Sequence, residues 1–288
     1  MMIFGLAILF DLILGSKQLA GWLPSIDKIF VEFASFFKRK LDRTNRSNGE
    51  RFVRGVIVVL AILPALFLLG KWLLPLSLQN GVTEAISMLA LMPLIGQRKH
   101  WDNLLGKEDT PEQEAATQSL VIGFADNIIV NGILFAAGGF ALLLPYRFLR
   151  AQISYTPAVY AERPQSPYLA LSWRLAELLA LAGSLLASFL LALAHIFIPG
   201  TRLSALIGLF AYRNAAMPSR FWPLSVAARG LGLSFRFSAT KGKQWIGANE
   251  GRARQNNSDR RRVALLLVAA MLLAILVSTM LLTATFTR

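Results

Sequence analysis

The stretch 263-VALLLVAAMLLAILVSTMLLTATF-286 decides the fold. It carries no charge, and a helix of about 20 such residues crosses the hydrocarbon core of a bilayer. Arg260, Arg261 and Arg262 lead into it, the basic flank that orients a membrane helix. Working outward, 178–198 is equally clean, and 55–70 extends past Lys71 to 78. The stretch 120–146 is long enough but holds Asp126, Asn127 and Asn131. At the start, 1–14 is short and carries Asp11; it has neither the basic start nor the small-residue cleavage site of a signal peptide, and reads as a retained span. The weakest stretch, 82–97, holds Glu84. The expected fold is all-α, a polytopic membrane helix bundle of about five to six transmembrane helices, with 1–288 forming a single membrane domain.

Composition agrees. Of 288 residues, 55% are apolar and 16% charged, against about 25% charged in a soluble domain. The charges are gathered: 13 of the 16 acids and 28 of the 30 basic residues lie in 15–54, 98–119, 147–177 and 199–262. A disordered chain, a disulfide scaffold and an ordinary soluble enzyme are excluded. The net charge of +14 flanks apolar spans, where orientation and anionic lipid account for it, and no nucleic-acid motif accompanies it. Cysteine is absent and only His100 and His195 are histidines, so no cysteine- or histidine-built metal site is expected.

The basic residues also predict topology. Segment 15–54 has nine against four acids, and 199–262 has twelve against two, which assigns both to the cytoplasm. Six helices would place 98–119 there as well, with both termini outside. Within 15–54, the apolar positions Ile26, Phe30, Phe33 and Phe37 recur at helical spacing and Lys38, Arg39 and Lys40 close the run. This predicts an amphipathic helix, lying on the cytoplasmic membrane surface or packed on the protein's own loops. Thr110-Pro111 with Glu112 and Glu114 marks a helix start.

Three acids fall inside expected spans: Asp11, Glu84 and Asp126. An intramembrane carboxylate costs roughly 2.5–3.5 kcal/mol at a helix centre, which makes each a functional candidate. Asp126, Asn127 and Asn131 cluster, with 127 and 131 on one helix face. Their oxygens suit a cation, a phosphate-bound magnesium or an amine; the alternative is hydrogen bonding between membrane helices. His195, near a span end, reads as an interfacial histidine. Gly138-Gly139, and Gly230 with Gly232, read as packing or turn glycines, and neither forms a phosphate-binding loop. A transporter using the three acids would be expected to show two similar halves with interrupted helices, which the chain lacks.

A series of local patterns then runs in order along the chain. Asp11-Leu12-Ile13-Leu14-Gly15 is followed by Trp22-Leu23-Pro24, and Leu105-Gly106-Lys107-Glu108-Asp109-Thr110 comes next. Gly123-Phe124-Ala125-Asp126-Asn127 precedes Asn131-Gly132, then come Tyr146-Arg147 and Arg174-Leu175-Ala176-Glu177-Leu178-Leu179. The last runs from Phe221-Trp222-Pro223 to Gly230-Leu231-Gly232. In this order they resemble the CobD/CbiB family, membrane proteins of cobalamin biosynthesis, over nearly the whole chain.

The resemblance implies a multi-pass protein of the bacterial inner membrane. It would attach aminopropanol, or its phosphate, to adenosylcobyric acid by amide formation, as an ATP-dependent ligase with magnesium balancing the phosphate charge. A corrinoid substrate and other cobalamin-pathway proteins would be its partners beside the lipid bilayer. It further implies Asp126 and Asn127 as cation or amine ligands, Glu177 and Arg174 facing them as the rest of a catalytic set, and Asp11, Tyr146 and Arg147 as cofactor-binding residues. The chain departs from the family at several points. Ile122 stands for a glutamate and Asn131 for an aspartate. Phe148-Leu149-Arg150-Ala151-Gln152 replaces an Asn-Thr-Leu-Asp step, and Ala180-Leu181-Ala182-Gly183-Ser184-Leu185 replaces Asn-Trp-Ile-Pro-Ala-Arg. Phe148-Leu149-Arg150-Ala151 is similar to AmpE-like inner-membrane proteins, non-catalytic relatives with a signalling role, in which Asp126, Asn127 and Glu177 would be structural contacts.

Overall fold

A computed structural model describes residues 7–8, 26–73, 91, 95, 98–104, 111–154, 166–202, 205, 208, 218–239, 242–248 and 250–286. The described chain is mostly helical. Four helices among the described residues are long and apolar enough to cross a membrane: Asn48–Leu73, Ala115–Gly138, Pro167–Phe197 and Asn257–Met280. They mark a multi-pass membrane protein. The expected spans 1–14 and 82–97 lie outside the described residues apart from isolated positions, and so does the 74–78 extension.

Contacts group the chain into two compact units that interleave along the sequence: one joins Gln97–Val130 to Leu181–Arg288, and the other joins Met2–Gly96 to Asn131–Ala180. In the second unit, α1 (Ile26–Leu41) is the expected amphipathic helix, closed by Lys38, Arg39 and Lys40. Phe30 and Phe33 lay their rings against Phe148, at 6.2 and 5.9 Å between centroids, so one face packs on the protein itself. Asp42 follows α1 and ties it to α2 (Asn48–Leu73): Arg51 Nε donates to Asp42 Oδ1 at 2.7 Å and the Ser166 hydroxyl donates to Oδ2 at 2.6 Å. Ser166 also caps the following turn, Pro167–Leu169, by accepting from the Tyr168 amide. One buried carboxylate thus joins three segments that are distant in sequence.

The expected single span 120–146 is divided. A helix α4 (Pro111–Gly123) starts at the predicted Thr110-Pro111 signal, with proline at the first helical position where its missing N–H costs nothing. It continues as a π-helical segment, Phe124–Val130, and then as α5 (Asn131–Gly138). Gly139, at φ 58°, turns the chain into a separate helix α6 (Phe140–Ser154). Left-handed φ is cheap only without a Cβ, so a glycine sits where the long apolar run breaks.

In the first unit, the helix α7 (Ala170–Ala194, shared between the units at residue 180) is followed by α8 (Pro218–Leu231) and a hairpin of β1 (Ser234–Ala239) with β2 (Gly242–Gly247). The strands pair antiparallel, Ser234 opposite Gly247 and Ala239 opposite Gly242. The hairpin was not expected. The last helix α9 (Asn257–Phe286) contains the run that opened the sequence reading. It begins with a reciprocal cap: Asn256 Oδ1 accepts from the Asp259 amide at 2.8 Å, and Asp259 Oδ2 accepts from the Asn256 amide at 3.1 Å. A short helix α3 (Arg98–Leu104) completes the described elements.

Candidate functional site: a buried ion pair on a π-helical turn

Asp126 sits in the π-helical segment and is buried. A π turn widens the backbone ladder to i→i+5, is seldom longer than one turn, and is frequent at functional sites. Its charge partner is Arg220 of α8, with Nη2 at 3.8 Å from Asp126 Oδ2 and both side chains nearly enclosed. That spacing is an ion-pair contact, longer than a tight charge-assisted hydrogen bond of about 2.7–2.9 Å.

Two features of α7 hold these elements together. Gly183 lies against the last residue of the π segment: a Cβ there would be 2.7 Å from Val130 Cγ2 and 3.0 Å from Val130 Cα. Only glycine permits that approach. The next residue, Ser184, donates its hydroxyl to the carbonyl of Ser219. That carbonyl needs an outside donor because Pro223, four residues on, has no N–H to return to it. Ser219 is buried and immediately precedes Arg220. The Pro223 defect in α8 is therefore repaired by α7 at the base of the ion pair. Nearby in the same unit, the His195 ring is enclosed rather than interfacial. Its Nε2 donates to the Val226 carbonyl at 3.3 Å and its edge fills the space beside Gly230. Gly139 and Gly232 are turn glycines with positive φ, as read from the sequence.

Apart from Asn127, the remaining predicted residues belong to the other unit. Glu177 is buried, and its Oε1 accepts from Arg150 Nη1 at 3.0 Å. Arg150 Nε also donates to the Tyr146 hydroxyl at 2.9 Å, and the guanidinium carbon lies 5.4 Å from that ring's centroid. Tyr146 and Arg147 are buried; Arg174 is exposed. Ser172 and Gln152 are hydrogen-bonded beside them. Asp11 and Glu84 lie outside the described residues, as do 105–110. Asn127 is half-buried, one position beyond Asp126, while Asn131 is fully buried and opens the second unit's part of the helix.

Sequence reasoning missed Arg220 and Arg150. Arg220 had been counted among the basic residues of 199–262, yet α8 is almost entirely buried between 219 and 228. The available signal was Phe221-Trp222-Pro223-Leu224 directly after it, an apolar context that a solvated loop does not need. Chemically, the pair offers a carboxylate that can accept from an amine and a guanidinium that can grip a carboxylate or phosphate. Magnesium fits less well. It takes carboxylate oxygens together with phosphate oxygens and water, but Asp126 and Glu177 each already face an arginine, and no three Asp, Glu or His side chains gather among the described residues. As paired here, Asp126 and Glu177 do not fit a divalent cation.

The fold and this site define a multi-pass helical membrane protein with a charged pair enclosed between helices. No family model matches the chain, and no curated protein or solved structure matches it.

Proposed function

We propose that the chain is a CobD/CbiB-like protein of the bacterial inner membrane that attaches aminopropanol, or its phosphate, to adenosylcobyric acid by amide formation. The observation that carries this reading is the buried Asp126–Arg220 pair on a π-helical turn. Amide formation must bring an amine to a carboxylate that ATP, as co-substrate, has activated, so that the amine displaces phosphate or AMP. In this reading Asp126, helped by Asn127, accepts from the ammonium of the aminopropanol, and Arg220 takes the carboxylate or phosphate. The residues bind and orient; Gly183 and Ser184 fix the spacing between their helices. The basic segments 15–54 and 199–262 face the cytoplasm, with α1 at that membrane surface.

A second reading, an AmpE-like relative without catalysis, is favoured by one observation. Arg150, of the Phe148-Leu149-Arg150-Ala151 motif, neutralises Glu177 and binds Tyr146, which makes Glu177 a structural contact. Titration calorimetry of the purified full chain with adenosylcobyric acid tests the first reading. Binding that is lost in Arg220→Gln supports it; a wild-type protein that gives no heat of binding contradicts it.

A further inference from the structure

The unexpected hairpin has two unlike faces. Phe235 and Ile246, paired across the strands, are both buried. The next rung, Arg236 opposite Trp245, is exposed, with Trp245 at 48%. The hairpin is held firmly in its unit. Gln118 of α4 donates to the Arg236 carbonyl, and Thr117 donates to Gln255 Oε1 at 2.8 Å. At its base, Arg252 N donates to Gly232 O at 3.0 Å and Ser234 N donates to Arg252 O at 2.9 Å, which sets the 250–256 turn alongside. That turn leads directly into the reciprocal cap of α9, and thus to the head of the span Asn257–Met280.

This frame displays cations beside the head of a helix long and apolar enough to cross a membrane. Arg236, Arg252, Arg254 and Arg261 are all exposed, and Arg252 remains 55% open while its Nη2 touches Asp259 at 2.5 Å. Against them stands one exposed acid of the segment, Glu250, since Asp259 is buried beneath Arg252. A planar guanidinium matches the two oxygens of a phosphodiester, and a tryptophan with one wet edge settles at the same depth as headgroups.

We propose that the Arg236–Trp245 rung, together with Arg252, Arg254 and Arg261 at the head of α9, forms a binding surface for anionic phospholipid headgroups. The hairpin lies on the bilayer surface beside its own span and holds the arginines at phosphate depth. This does not depend on the proposed enzymatic function.

The test is native mass spectrometry of the full chain in an uncharged detergent, with phosphatidylglycerol and phosphatidylcholine as probes and inorganic phosphate as competitor. The wild type is expected to retain phosphatidylglycerol in preference to phosphatidylcholine. A combined Arg236→Gln, Arg254→Gln and Arg261→Gln variant is expected to lose at least about tenfold of that preference, since each basic residue near an anionic surface contributes appreciably. Lys40→Gln, on α1 of the other unit, is expected to lower it by much less. Should the triple variant fail to fold, Arg254→Gln alone, at an exposed bend, reads the same preference with a smaller loss. Equal retention of the two lipids would overturn the proposal. So would an unaltered preference in the arginine variants, a loss in Lys40→Gln as large as theirs, or displacement of the lipid by inorganic phosphate alone.

Discussion

Gly183→Ala places a methyl group where α7 meets the π segment, 2.7 Å from Val130 Cγ2 and 3.0 Å from Val130 Cα. The Val130 side chain can rotate away, but its backbone cannot, so the helices must part by a few tenths of an ångström. Overpacking of this kind costs about 1–3 kcal/mol. Parting also lengthens the Ser184 bond to the Ser219 carbonyl, which adds to the loss. Against this, alanine gains up to about 1 kcal/mol over glycine in a helix. The net expectation is a loss of about 1–3 kcal/mol, or several degrees in thermal midpoint. Gly49→Ala is the matched control, because a Cβ there meets nothing within 4 Å and only the helix-propensity gain remains. The assay is thermal unfolding by circular dichroism in detergent, with both variants against wild type. A Gly183→Ala protein as stable as Gly49→Ala would refute the reasoning.

Asp126→Asn and Arg220→Gln should each destabilise, since each removes one side of a buried ion pair, whereas Asp126→Leu with Arg220→Met should recover part of that loss; thermal midpoints of the four proteins decide this. Gly230→Ala would set a Cβ 2.2 Å from the His195 ring and expel it, lowering the midpoint, and adding His195→Ala should recover much of that loss because the ring is gone. Arg51→Gln should weaken the junction of α1 with α2 by about 1–3 kcal/mol, seen as faster proteolysis between Asp42 and Arg51.

The parts legible in sequence were those where one physical signal dominates. α9 and α7 contain the uncharged runs 263–286 and 178–194, α1 shows itself in Phe30, Phe33 and Phe37 closed by cations, and Pro111 marks α4. Asp126 stood out because a carboxylate in an apolar run needs a reason. Its partner did not, because charge counting sums residues over a segment and cannot separate a buried Arg220 from solvated neighbours such as Arg254. No residue type encodes a π turn, so the widened ladder under Asp126 was invisible. The break at Gly139 depends on backbone φ, which Gly138-Gly139 permits without requiring. The hairpin's strands are only six residues each, and their Phe235–Arg236–Phe237–Ser238 alternation was hidden within a charge-rich stretch.

Genetic complementation tests the central claim most directly. The chain and its Asp126→Asn variant would be expressed in a bacterium lacking cobinamide-phosphate synthase and supplied with cobyric acid, with membrane levels of both checked by blot. The account predicts cobalamin-dependent growth with the wild type and none with Asp126→Asn, compared at expression adjusted to match their membrane levels. No growth with wild-type protein present in the membrane would contradict it and leave the non-catalytic, AmpE-like reading in its place.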